Sequence, residues 1–339
     1  MSTVVAMATA AVRFGVLGAA RITPAALVSP AASHPEASVD VVAARDRTRA
    51  AAFARRRGIP RVADTYEEVC TDPRIDAVYV PLPNSLHARW VLSALEAGKH
   101  VLCEKPFTAN ADEAAAVAIA ADRASAEAGL VVMEAFHYRY HPLAARLREI
   151  VERGELGRLR HIEAWLCAPI RDKSDIRYRA DLAGGAMMDM GSYVVHWARF
   201  LGRGEPTVVS ARAKLHTPDV DRAMDARLAF PAGHTAAVHC SMWSSSVLRL
   251  EARVTGDRGE MRVMNPIAPQ SVSWLTVRSG GRRRREFTSR RPTYAYQLDA
   301  FCDAVLRGAP VLTPPTDATA NMAVIDAVYR AANMRPRGV

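Results

Sequence analysis

Over the first 136 positions the apolar residues come in short, nearly unbroken runs: VRFGVLG (12–18), SVDVVAARD (38–46), DAVYVPL (76–82), HVLCEK (100–105) and LVVMEAF (130–136). Runs of that length without polar alternation predict strands covered on both faces. Between them lie TRAAAFARRRG (48–58), SLHARWVLSALEAGK (85–99) and ADEAAAVAIAADRASAEAG (111–129), rich in good helix formers and carrying a glycine near the C-terminal end. Strand and helix in alternation predict a parallel, doubly wound sheet. Near residue 137 the pattern changes. After a helix candidate at 143–157, strand-like runs at 159–168, 207–216, 222–230, 235–243, 248–256, 260–265 and 272–278 alternate in polarity. Such alternation predicts an antiparallel sheet with one exposed face. Helix candidates at 296–308 and 321–332 close the chain, and no internal repeat or low-complexity linker appears. The expectation is an α/β protein with two domains: a doubly wound parallel-sheet domain over 12–136, and an α+β domain with an open, mostly antiparallel sheet over 137–335.

Composition narrows the class. Half of the 339 residues are hydrophobic and 24% are charged, the balance of a globular protein with a sizeable core. Cys70, Cys103, Cys167, Cys240 and Cys302 are scattered, with no CxxC and no Cys/His cluster. They predict reduced thiols, a cytoplasmic location and no metal site. The apolar N-terminal run MSTVVAMATAA lacks a basic region before it and reads as a loose leader, not a signal peptide. No run is long enough to span a bilayer. The net charge of +10 raises nucleic acid as a partner, but no nucleic-acid-binding signature accompanies it. The densest basic run, GGRRRREF (280–287), reads as a solvated hairpin tip.

Candidate chemistry begins at the end of the first strand, where the loop from Gly18 reads G-A-A-R-I-T. A dinucleotide fingerprint asks for G-x-G-x-x-G, so that the backbone can turn tightly and approach a pyrophosphate. Only Gly18 is kept; Ala20 and Thr23 fill the other two places, and Arg21 and Ile22 lie between them. The position, after the first strand of a βαβ series, still supports cofactor binding. The second strand ends at Ala44 and Arg45. An arginine at this tip suits the 2′-phosphate of NADP, whereas an acidic residue would suit NAD. Asp46 keeps NAD as the alternative unless it caps the next helix.

Three stretches, LPNSLHARW (82–90), GKHVLCEKPF (98–107) and GGAMMDMGSYVVHWARFLG (184–202), together resemble the Gfo/Idh/MocA oxidoreductases. The resemblance runs from about residue 12 to 335, and the motifs are most similar to those of dimeric dihydrodiol dehydrogenase and the NADP-dependent sugar dehydrogenases. It implies a Rossmann domain followed by a domain with an open sheet, and homo-oligomers formed through that sheet. It also implies hydride transfer between a nicotinamide cofactor and a CH–OH or keto group of a sugar, cyclitol or cyclic diol. The lysine of the E-K-P motif matches Lys105, which lies beside the nicotinamide in the family. The tyrosine of D-x-G-x-Y matches Tyr193, the implied proton donor and acceptor, and Asp189 matches its aspartate. Many relatives carry histidine where this chain has Tyr193, which places it in the tyrosine-using branch.

Chemistry supports these assignments. A Lys105 ammonium near Tyr193 would lower the phenol's pKa toward the working pH. In a helix, Asp189 and Tyr193 would share a face. Pro106 biases Lys105 toward an extended backbone, and the Lys105–Pro106 bond is a candidate for the cis form. The cofactor site is expected to include Gly18, Ala20, Arg21, Ile22, Arg45, Leu82, Asn84, His87, Glu104 and Lys105. Asn84 is a candidate helix cap, His87 is equally a core histidine, and Glu104 either packs or balances Lys105. His137 and Arg139 are substrate-side candidates that interdomain packing explains equally well, His196 is a third such candidate, and the arginine-rich stretch 171–185 is a candidate substrate loop. Two other functions stay open: an NAD-dependent redox-assisted glycosidase and a non-catalytic NADP-binding sensor.

Overall fold

The computed structural model describes residues 11–245 and 247–339; the reading of the N-terminal run as a leader falls outside them. The predicted apolar runs become strands β1 (Val12–Leu17), β2 (Ala37–Ala43), β4 (Ala77–Val80), β5 (His100–Cys103) and β6 (Val132–Glu134). With β3 (Arg61–Val62) they form one parallel sheet in the order β3-β2-β1-β4-β5-β6. β1 and β4 lie at the centre, which is why their residues are almost wholly buried. The connecting helices are α1 (Ser29–Ala32), α2 (Arg47–Arg57), α3 (Tyr66–Thr71), α4 (His87–Glu96) and α5 (Ala111–Ala128). A π-helical turn, Pro24–Val28, precedes α1.

The second half begins with α6 (Pro142–Glu152) and builds an eight-stranded sheet in the order β14-β13-β12-β11-β7-β10-β9-β8. Its strands are β7 (Leu159–Cys167), β8 (Thr207–Thr217), β9 (Val220–Ala229), β10 (Thr235–Ser241), β11 (Arg249–Gly256), β12 (Gly259–Met264), β13 (Trp274–Ser279) and β14 (Arg282–Glu286). Every neighbouring pair is antiparallel except β7 with β10. Gly280 and Gly281 turn the β13–β14 hairpin, as the sequence predicts. The four arginines after them are the return strand, and Arg284 is tied to Glu155 and Glu286.

Of helices α7 (Ser192–Gly202), α8 (Thr293–Arg307) and α9 (Pro315–Ala331), α7 packs on β7 and β10, and α9 touches both sheets at β6 and β8. α8 packs on β1 and α1, and α9 packs along α5. Asp326 on α9 accepts a hydrogen bond from Ala111 N (3.0 Å), placing a carboxylate at the N-terminus of α5.

One buried cluster fixes the turn that later carries Asp189. The side chain of Asp221 accepts from Arg337 Nη2 (2.8 Å), Tyr329 Oη (2.9 Å) and Met187 N (2.7 Å). Gly185, at φ +135°, passes so close that a Cβ would meet Asp221 Oδ1 at 2.2 Å. Removing one partner of a buried ion pair leaves a charge uncompensated. Replacing Arg337 with methionine is therefore expected to destabilise the protein by about 3–5 kcal/mol, read from the midpoint of urea unfolding. An unchanged midpoint would contradict the role given to this pair.

Candidate active site

Where β1 ends, Gly18 adopts φ +105° and its N–H bonds Ala43 O at 2.7 Å, so the chain turns sharply at the carboxyl edge of the sheet. A side chain there would be strained and would press on Leu82. The loop that follows opens into a cleft of about 340 Å³ lined by Ala20, Arg21, Ile22, Leu82, Asn84, Glu104 and Lys105, with Asp189 and Tyr193 across from them. A crevice outside the carboxyl ends of parallel strands is where dinucleotides bind. The loop keeps the glycine that its positive φ demands, and the cleft runs from that loop to Lys105, so these residues fit a nicotinamide dinucleotide despite the missing glycines. Asp46 caps α2, accepting from Thr48 N (2.8 Å) and Arg49 N (3.2 Å). Its Oδ1 is thereby committed to the helix, while Arg45 is exposed at the strand tip.

Lys105 follows β5 with a cis bond to Pro106. Its ammonium donates to Asp189 O (2.9 Å) and Asp189 Oδ1 (3.0 Å). An ammonium has three N–H groups, which leaves one for a ligand in the cleft. Asp189 lies in a π-helical turn, Met187–Gly191, that runs into α7, so Asp189 and Tyr193 face the same cleft across a wider turn than an α-helix would give. Arg177 Nε donates to Asp189 Oδ2 (2.7 Å). Burial pushes the Asp189 carboxyl up, but Lys105 and Arg177 outweigh it and hold the group well below the usual carboxylate range. Arg177 also pairs with Asp175 (3.1 Å), which in turn binds Arg21 from the glycine loop. A line of alternating charges thus joins the cofactor loop, the 171–185 segment and Lys105.

Tyr193 corrects one expectation. Lys105 Nζ sits 4.8 Å from the centre of its ring, over the face, and not at the hydroxyl. Burial, reinforced by Tyr294, Glu104 and Asp189, raises the phenol well above its ordinary pKa. In the free protein Tyr193 is therefore held as the neutral acid. Its hydroxyl lies 3.1 Å from His137 Nε2.

Other candidates are moved or redefined. His87 is fully buried, with its ring nitrogens 2.9 Å from Pro106 O and 2.8 Å from Leu82 O. It braces two loops of the cleft from behind and does not face a cofactor. Asn84 does not cap a helix; its Nδ2 donates to Ala183 O (2.9 Å), tying the Leu82 loop to the 171–185 segment. Glu104 accepts from Tyr79 Oη (2.6 Å), so Asp189, not Glu104, is the ion-pair partner of Lys105. None of the substrate-side candidates lines the main cleft. His137 stands behind Tyr193. Arg139 lies over Phe200 (3.8 Å), and His196 is held between Tyr138 and Asp317 Oδ2 (2.9 Å). Arg139 and His196 line a separate cavity of about 220 Å³. In their place the cleft contains Arg177, Ile176, Met190 and Tyr294. The polarity of the 171–185 stretch pointed to Arg177; nothing local marks Tyr294, which α8 brings in.

Sheet, loop and charged cleft define the class: an oxidoreductase dependent on a nicotinamide dinucleotide. Residues 12–133 match the oxidoreductase family with an NAD-binding Rossmann fold, and residues 144–262 match the GFO/IDH/MocA C-terminal domain. The chain is 37% identical over 321 residues to D-xylose 1-dehydrogenase (NADP(+)) 2 of Haloferax volcanii, covering 94% of this chain and 97% of that one. It is 34% identical over 269 residues to trans-1,2-dihydrobenzene-1,2-diol dehydrogenase of Mus musculus, covering 77% of each. A 3-ketoreductase from Actinomadura kijaniata, solved with NADP and TDP-benzene, superposes with a TM-score of 0.86 at 28% identity, covering 96% of this chain and 98% of that one. The chain belongs to the Gfo/Idh/MocA family of oxidoreductases.

Proposed function

We propose that the protein is an NADP-preferring oxidoreductase that interconverts a secondary hydroxyl and a ketone, or a hemiacetal and a lactone, on a sugar, cyclitol or cyclic diol. The observation that carries this reading is the convergence in the cleft of Lys105, held by Asp189, which Arg177 anchors in turn, with neutral Tyr193. Gly18, Ala20, Arg21, Ile22 and Leu82 would hold the cofactor, whose nicotinamide supplies or accepts the hydride. Lys105 orients and polarises the substrate oxygen, and Tyr193 gives or takes its proton. Arg177 and Tyr294 border the substrate end. The D-xylose and dihydrodiol dehydrogenases and the ketoreductase among its relatives support a polyhydroxylated or cyclic substrate. Screening aldoses, inositols and cyclic diols, with the matching ketones, against both coenzymes tests the reading. No turnover with any of them would contradict it.

Coenzyme choice follows from Arg45, which is exposed at the strand tip, whereas Asp46 spends Oδ1 on the cap of α2. NADPH is expected to bind more tightly than NADH by at least about tenfold, equivalent to ~1.4 kcal/mol for one charge-assisted contact. Arg45→Ala should narrow that gap in a fluorescence titration; equal affinities in the unaltered protein would refute the assignment.

The state of Tyr193 also sets a pH dependence. Reduction needs the phenol, which is already the dominant form, so its rate should be flat through neutral pH. Oxidation needs the phenolate, so its kcat/KM should rise about tenfold per pH unit from roughly pH 6 to 9, below the raised pKa. Burial first, then Lys105 and His141, hold His137 down to about 3, so it adds no step near the ordinary histidine value of about 6.5. A sigmoidal break in oxidation near that pH would contradict this account.

We further propose a homo-oligomer built through the eight-stranded sheet and a cytoplasmic location. Val209, Leu215 and Leu248 leave apolar side chains exposed on or beside that sheet. All five cysteines are free and buried, which suits a reducing compartment. No described helix is long and apolar enough to cross a membrane.

A further inference from the structure

Tyr193 is buried on every side except the cleft, and a substrate in the cleft covers that side too. While the cleft stays filled, a residue that has given its proton to the substrate regains one only by another route. Behind its hydroxyl, His137 Nε2 stands at 3.1 Å, and the opposite ring nitrogen, Nδ1, is 2.7 Å from Thr293 Oγ1. The three groups form a line: phenol, imidazole, hydroxyl. His137 and Thr293 are buried, at 3% and 0% exposure. The imidazole is clamped by the Tyr294 ring, whose centre lies 4.1 Å from its own. Thr293 is the first residue of α8, and its neighbours Pro292, Tyr294 and Ala295 line a second cavity of about 820 Å³. One turn further along the helix, Gln297 is fully buried with both side-chain amide atoms unpartnered, so another polar group follows on the Thr293 face.

We propose that His137 is a positioning and relay residue that passes protons between Tyr193 and Thr293, on the side of Tyr193 away from the cleft. The proposal rests on the role given to Tyr193 above. In the reducing direction the substrate oxygen takes the Tyr193 proton, while its carbon takes a hydride from the nicotinamide dinucleotide. The His137 Nε2–H bond breaks and the proton moves to Tyr193 Oη. Nδ1 takes the Thr293 hydroxyl proton, and Thr293, itself buried, recovers one from water that enters from the cavity its neighbours line. One solvent proton reaches the substrate for each hydride, and the imidazole ends neutral as its other tautomer. Once product has left, Tyr193 takes a proton from water in the open cleft as its own moves back to Nε2, and the Nδ1 proton returns through Thr293 to solvent, restoring the first tautomer. In the oxidising direction the line first carries the Tyr193 proton out through His137 and Thr293 to solvent, and the phenolate left behind takes the substrate proton. A neutral imidazole suits this function because it has one donor and one acceptor nitrogen; an imidazolium would donate at both ends and block the line.

The test uses the full chain and has two arms. In the first, without cofactor, side-chain ¹⁵N resonances of histidine-labelled protein are followed, with His137 assigned by its loss in His137→Gln. The expected result is a neutral His137 at pH 6 whose Nε2 shift moves in Tyr193→Phe and whose Nδ1 shift moves in Thr293→Val. In the second arm, steady-state kinetics are measured in H2O and D2O. Glutamine at 137 keeps a hydrogen bond to Tyr193 but cannot exchange tautomers, and valine at 293 removes only the hydroxyl. Both variants are expected to lose about 10–100-fold in kcat, with KM within about twofold and a larger solvent isotope effect. Thr293→Val decides the matter if His137→Gln fails to fold. Wild-type kcat and isotope effect in Thr293→Val, with Tyr193→Phe inactive, would overturn the relay and leave the role of Tyr193 standing. A fully active Tyr193→Phe would overturn both. Resonances of His137 indifferent to Tyr193→Phe would overturn the contact on which the relay is built.

Discussion

Replacing Lys105 with methionine is expected to lower kcat/KM by roughly 10²–10³-fold, the usual cost of removing one preorganised donor from a developing charge. The size follows from what the ammonium does. Two of its N–H groups are fixed by Asp189, so the third is held in place before a substrate arrives and needs no reorganisation during reaction. The positive charge also lies over the Tyr193 ring at 4.8 Å, where it favours the phenolate form that appears after proton transfer. Methionine keeps the volume and the hydrophobic stem but loses both effects. It also leaves Asp189 with Arg177 as its remaining ion-pair partner, so a modest loss of stability should accompany the loss of rate. Steady-state kinetics with the best substrate, together with a thermal melt, check the prediction. A folded Lys105→Met protein with full activity would remove Lys105 from the chemistry.

Replacing Tyr193 with phenylalanine is expected to reduce kcat by about 10²–10⁴-fold, the range for a lost general acid or base, with KM changed little. The ring is packed among Phe136, Tyr138, His137 and Trp197, so phenylalanine fills the same space and only the hydroxyl is lost. Removing it leaves one His137 nitrogen without its partner, a cost to stability of about 1–3 kcal/mol. Loss of kcat in a variant that still melts cooperatively above the assay temperature identifies the hydroxyl's role as chemical. A KM effect with kcat retained would instead make Tyr193 a binding residue.

Much of this arrangement was legible in the chain before folding, for reasons specific to each part. The strands of the first sheet show as unbroken apolar runs because both faces are covered. Lys105 stands out because opposite charges at the end of a buried strand are costly unless used. The short elements were not visible. β3 is two residues long, α3 is six, and β14 is nearly all arginine and takes its register from β13, so no hydrophobic period marks any of them. Family resemblance pointed to Asp189 and Tyr193, but the electrostatics of Tyr193 depended on burial by residues from distant elements, Tyr294 among them. His196 illustrates the limit. It follows Tyr193 by three positions on α7, yet Asp317 and Tyr138 take up its two nitrogens and turn it to another cavity. His137 was predicted at the substrate and stands instead behind the phenol. Spacing along a helix gives a face; which neighbour claims the side chain is decided by packing across the whole molecule.

The central claim is that Lys105 and Tyr193 act as one unit on the substrate oxygen, and a double-mutant cycle on hydride transfer in a single turnover tests it most directly. With coenzyme preloaded, the rates of the parent, Lys105→Met, Tyr193→Phe and the double variant are compared. Residues that work as a unit are grossly non-additive, so the double variant is predicted to be little slower than the slower single one. A double variant whose loss equals the product of the two single losses would show that the residues act independently and would contradict the account.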